Sequence, residues 1–349
     1  MTRPPPVYLD WNATSPLHPA ARAAMLEWLG PPANPSSIHS FGRAAADAVD
    51  RARAQVAALC RWPEAGVVFT SGATEANATV LSRGRWLVSA VEHPSVAAWG
   101  AGFIPVHRDG LVDLDALDAA LGAGAPWSGV SVILVHNETG VVQPIAAVGA
   151  ICAARGVPLH LDAAQAPGRV PCGIQADFVT LSAHKLGGPT GVGALLVRPG
   201  RTVEALLRGG PQERGRRAGT TPVAAIVGFG AAAAEVTGTM SPALRDHLEA
   251  ALVGLGARVA GGGAPRAPNT TCVAFEDIDT ADLVAALDLE GIAVSAGAAC
   301  ASGSPRPSAA LRAMGFGGGG VRFSLGPTTT DEEVERAIGA VGRVLGRVR

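Results

Sequence analysis

Lysine is almost missing from this chain of 349 residues: Lys185 is the only one, and every other long basic side chain is arginine. Arginine can serve as a surface charge, a salt-bridge partner or a phosphate clamp, but it cannot act as a free amine that condenses with an aldehyde. A sequence that keeps one lysine therefore keeps one such amine. Paired cysteines are missing too. Cys60, Cys152, Cys172, Cys272 and Cys300 are odd in number, widely spaced and never arranged C-x-x-C, so neither a disulfide framework nor a structural metal site is indicated. No uninterrupted apolar segment reaches membrane-spanning length, and Met1-Thr2-Arg3-Pro4-Pro5-Pro6 lacks the apolar stretch of a signal peptide, so a cytoplasmic protein with reduced thiols is expected. No basic run interleaved with aromatics accompanies the net charge of −1, so neither nucleic acid nor a membrane is the expected partner.

What is present is apolar periodicity. At 48% hydrophobic residues the chain can build a large core. Val67–Thr70, Trp86–Ser89, Val132–Val135, Leu159–Asp162, Phe178–Ser182 and Ala194–Val197 read as buried strands, with helical segments such as Ile145–Arg155 between several of them. This predicts an α/β fold with a mainly parallel sheet covered by helices. Asn34-Pro35-Ser36-Ser37 reads as the cap of a long helix from about Ile38 to Cys60. Beyond Thr220 the texture changes, with a helix expected over Ser241–Val259, a strand over Thr271–Phe275 and helices at Thr280–Glu290, from Pro307 and from Asp331. The expected division is a large domain over 15–239 and a small α+β domain built from 1–14 with 240–349. The run of tiny residues around Cys300, ending in prolines, predicts a mobile, exposed loop in the small domain.

Polar residues gather at the strand ends. Ser71-Gly72-Ala73-Thr74-Glu75-Ala76-Asn77 leads from a strand into a helix, which offers free N–H groups to an anion; alone, an ordinary capped helix would look the same. Asp162 ends an apolar strand, where a buried acid needs a cationic partner, although it could equally cap the following turn. His93 follows another strand, where an imidazole could stack on a flat ring or be simply structural. Lys185 lies between a strand and the glycine turn Gly187-Gly188-Pro189. Together they ask for a ligand with a phosphate, a ring nitrogen, a ring face and an aldehyde, and pyridoxal 5'-phosphate has all four.

These motifs, with Asn34-Pro35-Ser36-Ser37-Ile38-His39, Asn137-Glu138-Thr139-Gly140, Asp162-Ala163-Ala164-Gln165, Ser182-Ala183-His184-Lys185, Arg217-Ala218-Gly219-Thr220, Gly297-Ala298-Ala299-Cys300 and Arg322-Phe323-Ser324, follow one another in a familiar order. In them the chain resembles the cysteine desulfurases of the iron-sulfur-cluster type, within the class V aminotransferase group of fold-type-I pyridoxal-phosphate enzymes. The resemblance implies a seven-stranded fold-type-I sheet and a homodimer. It implies that Ala73, Thr74, Ser182 and His184 hold the phosphate, with Thr220 reaching it from the other subunit. Asn137 and Gln165 would contact the ring hydroxyl, Asp162 the ring nitrogen and His93 the ring face. Asn34 and Arg322 would bind the carboxylate of L-cysteine. Lys185 and His93 would move protons, and Cys300 would accept the sulfur for an iron-sulfur scaffold or another carrier, and is a candidate transient cluster ligand. A selenocysteine lyase, an aminotransferase of the same group or a non-catalytic sulfur-transfer scaffold are the alternatives. The chain departs from the pattern at His136, Thr190 and Ala298, and in a shorter stretch after residue 240.

Overall fold

The computed structural model describes residues 5–172, 175–276, 278–297 and 308–348. The chain enters through β1 (Val7–Tyr8), α1 (Pro19–Leu26) and α2 (Ser40–Leu59). It then alternates β2 (Val67–Thr70), α3 (Ala73–Leu81), β3 (Trp86–Ser89), α4 (Pro94–Ala97), β4 (Gly100–Ile104), α5 (Leu114–Gly122), β5 (Gly129–Ile133), α6 (Ile145–Ala154), β6 (Leu159–Asp162), β7 (Phe178–Ser182) and β8 (Gly193–Val197). Strands β2 to β8 form one seven-stranded sheet, ordered β2-β8-β7-β6-β5-β3-β4, in which only β8 runs against its neighbours. The expected mainly parallel sheet is present. Apart from the edge strand β4, each strand is buried along its whole length, as helices on both faces require.

Helix α7 (Val223–Ala234) packs on α2 through small residues. A Cβ at Gly230 would lie 2.6 Å from the Ala52 Cα, so glycine is what lets the two backbones approach. The remaining elements are α8 (Ala243–Gly254), β9 (Arg258–Val259), β10 (Thr270–Ala274), α9 (Thr280–Leu289), β11 (Ile292–Ala293), β12 (Ser295–Ala296), α10 (Ala309–Ala313), β13 (Val321–Ser324) and α11 (Asp331–Val348). They make a four-stranded antiparallel sheet, β12-β13-β10-β9, and a β1–β11 pair. Val7, Leu9, Leu248, Leu252, Phe275, Ile292, Phe323, Val341 and Leu345 share a second apolar core that joins the first residues to the last. On this distribution we propose the domain division 15–239 and 1–14 with 240–349.

Several expectations shift. The cap of α2 is His39, whose ring accepts from the Gly42 N–H, and not Asn34–Ser37. The long helix expected over 241–259 stops at Gly254 and the chain turns into β9, because Gly256 adopts a left-handed φ of 97°. The strand expected at 132–135 lies at 129–133, with Leu134 and Val135 following it. β4 went unread because its Gly100-Ala101-Gly102 opening carries no apolar run.

Candidate active site

The ends of β2, β3, β6 and β7 open on one side of the sheet, and each delivers a polar residue there, as parallel sheets do at the carboxyl ends of their strands. A cavity of about 390 Å³ at this edge is lined by Ala73, Thr74, His93, Asn137, Asp162, Gln165, Ser182, His184, Lys185 and Arg322, among others. The sequence singled out all ten. Asn34 and Thr220 do not line it in the single chain: the Asn34 carbonyl of the side chain accepts from Ser36 N–H, and Thr220 is exposed. Cys300 lies outside the described residues, as do positions 298–305 of the loop expected over 295–305; the first two residues of that expected loop, Ser295 and Ala296, form strand β12 instead, with Ser295 buried.

Gly72 begins α3 with no side-chain cap, so the first N–H groups of that helix, at Ala73 and Thr74, face the cavity without the hydrogen bonds that later turns make. Asp162 is buried; its Oδ1 accepts from Ala164 N–H at 3.0 Å and its Oδ2 from the Asn77 amide at 2.9 Å. The same Asn77 amide donates to Ser95 Oγ at 2.9 Å, and Ser95 holds the His93 Nδ1 through its backbone N–H at 3.1 Å. Because Nδ1 accepts there, the hydrogen-bond pattern assigns the ring proton of neutral His93 to Nε2. Burial lowers the His93 pKa, Asp162 opposing and Lys185 assisting, so the ring is neutral near pH 7.

Lys185 stands at the end of the short 3₁₀ turn after β7, and its amine donates to Asn12 O at 2.6 Å and Ala13 O at 2.8 Å. Burial brings its pKa down from 10.5 to about 8, aided by Arg322 and Arg169 and opposed by Asp10 and Asp162. Burial also takes His184 down to about 4, with Lys185 adding to the effect. Arg322 comes from β13, across the boundary between the two cores. Its guanidinium donates to Asn137 O at 3.0 Å and pairs with Asp10, while its Nε is buried with no hydrogen-bond partner among the described residues. Glu92, beside His93, accepts from Ser89 Oγ and Ile133 N–H at 2.6 Å each, and burial pushes its carboxyl well above the usual carboxylate range.

Sequence reasoning missed Asn12, Asn77, Ser95 and Arg169. Asn77 was legible in part, since it sits one helical turn after Ala73 on the same face of α3. Asn12 carried no local signal. A second cavity, of about 590 Å³, lies on another side of Lys185 and is lined by Trp11, His18, Arg169, Glu235 and Thr328 among others. It is the larger, yet Asp162, His93 and the start of α3 are absent from its walls, so the chemistry belongs to the smaller one.

The sequence profile of the class-V aminotransferases matches residues 7–337. A cysteine desulfurase of Cereibacter sphaeroides is 40% identical, the match covering 98% of this chain and 96% of that one. The cysteine desulfurase IscS of a Salmonella schwarzengrund strain is 37% identical over 99% of this chain and 94% of its own. Among solved structures, a NifS-like protein from Rickettsia africae superposes with a TM-score of 0.90 at 32% identity, covering 98% of this chain and 99% of that one. With a family profile spanning nearly the whole chain and a fold that superposes over the same extent, this chain belongs to the class-V aminotransferase family.

Proposed function

We propose that this chain is a pyridoxal-phosphate-dependent cysteine desulfurase, which converts L-cysteine to L-alanine and leaves the sulfur as a persulfide on Cys300. The observation that carries the reading is the meeting of the only lysine, a buried acid and an uncapped helix start in one cavity. The residues fit the cofactor. Asp162 has two hydrogen-bond donors and, among the described residues, no ion-pair partner, so a protonated ring nitrogen would complete it. The N–H groups of Ala73 and Thr74, with Ser182 and His184, suit a phosphate. When bound, pyridoxal 5'-phosphate supplies an aldehyde for the amine and a ring that draws electrons from the substrate Cα.

The chain's own groups do the rest. Arg322 binds the substrate carboxylate, sharing its guanidinium with Asp10, and Asn34 assists from outside the single-chain cavity. Lys185, with its pKa near 8, has a substantial neutral fraction at working pH and takes the Cα proton. His93 is the acid/base group for the substrate thiol: in its other tautomer, which donates Nδ1–H to Ser95 Oγ, its Nε2 is free to accept the thiol proton. The Cys300 thiolate attacks the substrate sulfur: an S–S bond forms, the C–S bond breaks, and the carbon skeleton takes up protons to become alanine. Two thiols enter and one persulfide and one C–H bond leave, so no external oxidant is needed. The sulfur then passes to an acceptor protein, in cluster assembly or tRNA thiolation. Described cysteines Cys60, Cys152, Cys172 and Cys272 are free and buried, which suits a reducing compartment such as the cytoplasm. Thr220 would serve the partner subunit of a homodimer. Leu26, Leu29, Ile38, Phe41, Leu206 and Leu207 are exposed apolar side chains that such a partner would cover.

The test is incubation of the purified chain with L-cysteine and reductant, measuring alanine and sulfide beside Cys300→Ala and Lys185→Ala. Equal alanine and sulfide, lost in both variants, supports the reading; a yellow protein that forms no alanine sinks the reaction and keeps the cofactor.

A further inference from the structure

Arg169 is 6% exposed, and no acidic group among the described residues pairs with it. A buried cation without a counter-charge costs stability, so its retention needs a reason. Its hydrogen bonds supply one. Nη1 donates to the Gln165 side-chain Oε1 at 2.7 Å and to Gln165 O at 3.0 Å, and Nη2 reaches Lys185 O at 3.4 Å. On its other side the Gln165 Nε2 donates to Asn12 O at 2.9 Å, the same carbonyl that accepts the Lys185 amine at 2.6 Å. A guanidinium can only donate and a carbonyl can only accept, so the two neighbours fix which end of the Gln165 amide is which.

We propose that Arg169 is a positioning residue for the amine site: it locks the Gln165 amide, and through it the Asn12 carbonyl that holds Lys185, from behind the cavity. One consequence is that the orientation of the Gln165 amide is fixed, with its oxygen held on Arg169 and its Nε2 keeping one N–H free to donate to a ligand. The other is electrostatic. Arg169 is one of two arginines whose charge disfavours the protonated amine, the other being Arg322; Asp10 and Asp162 act in the opposite sense, and among the described residues His93 and His184 are titratable groups that feel the charge of the amine. This inference rests on the reading of Lys185 as the reactive amine, but its test does not need the reaction.

Because the chain has a single lysine, labelling with ¹³C-lysine gives one side-chain signal. The full-length chain, treated with hydroxylamine to free any bound amine, is titrated by NMR. The parent amine titrates near 8. In Arg169→Gln and in Arg169→Met, an apolar residue of similar length, the midpoint rises by about half a unit or more, the Coulomb effect of losing a neighbouring unit charge. A purely structural arginine would lower the melting temperature of these variants and leave the titration where it was. Variants that fold and titrate with the parent overturn the proposal, as does a parent amine near 10.4, and failure of both variants to fold would make Arg169 a residue of the fold instead. Absence of alanine formation would remove the enzymatic reading and leave this titration intact, so the two fail separately.

Discussion

Replacing Lys185 by methionine isolates one titration in a chain of 349 residues, since no other lysine contributes. The folded amine has a pKa of about 8 against an ordinary 10.5, so between these values the unfolded chain holds the proton and the folded chain has lost it. Stability therefore rises with pH across this window. Below pH 8 the folded state carries the full cost of a buried ammonium, about 3 kcal/mol at ~1.36 kcal/mol per pH unit, and the cost fades as pH climbs through 10.5. Between pH 7 and 9.5 the parent should gain about 2 kcal/mol relative to Lys185→Met. The assay is urea unfolding of the cofactor-free parent and variant at four pH values. Tyr8, the cysteines and the arginines titrate alike in both, so they cancel in the difference. A difference that stays constant to within about 0.5 kcal/mol would refute the reasoning, because it would mean the amine is hydrated in the folded state.

Three further outcomes are expected. A Cβ at Gly193 would meet Leu181 O at 2.7 Å and the Gly72 Cα at 2.8 Å, backbone on both sides, so Gly193→Ala should distort the helix start and weaken pyridoxal 5'-phosphate binding by about tenfold or more, read by absorbance titration. Glu213 accepts both guanidinium nitrogens of buried Arg53, at 2.8 and 2.9 Å, and the Phe69 N–H, so Glu213→Ala should cost about 3–5 kcal/mol in urea unfolding. The double variant Arg53→Met with Glu213→Met should recover most of that loss, since no buried charge is then left alone. Ile38→Asp combined with Phe41→Asp, at two exposed apolar positions, should turn a dimer into a monomer in sedimentation velocity without changing the helix content.

Much of this site was legible in the chain. Lys185 stood out because composition had removed its rivals. Asp162 and His93 stood out because each follows or ends an apolar run that reads as a buried strand, and α/β sheets gather such ends on one side, whereas Ser182 was picked out by the family resemblance. The edge strand β4 and the His39 cap were not, because a glycine-rich edge carries little apolar pattern and a histidine cap is a minority choice. Asn12 shows the limit best. Its side chain and backbone bond to Asn137, Gln165, Lys185, Asn269, Thr270 and Ser324, all more than a hundred positions away, and nothing within its own turn announces this.

The sequence by itself determined which groups exist: one side-chain primary amine, the apolar periods that build the sheet, and the small residues that begin α3. Only the tertiary structure decided their state. It set Arg322 against Asp10, 312 positions apart, placed Arg169 behind Gln165, and parked the Lys185 amine on two backbone carbonyls of the N-terminal segment. An amine is an intrinsic property of a side chain, whereas its protonation depends on the surrounding dielectric and on charges that only folding brings near.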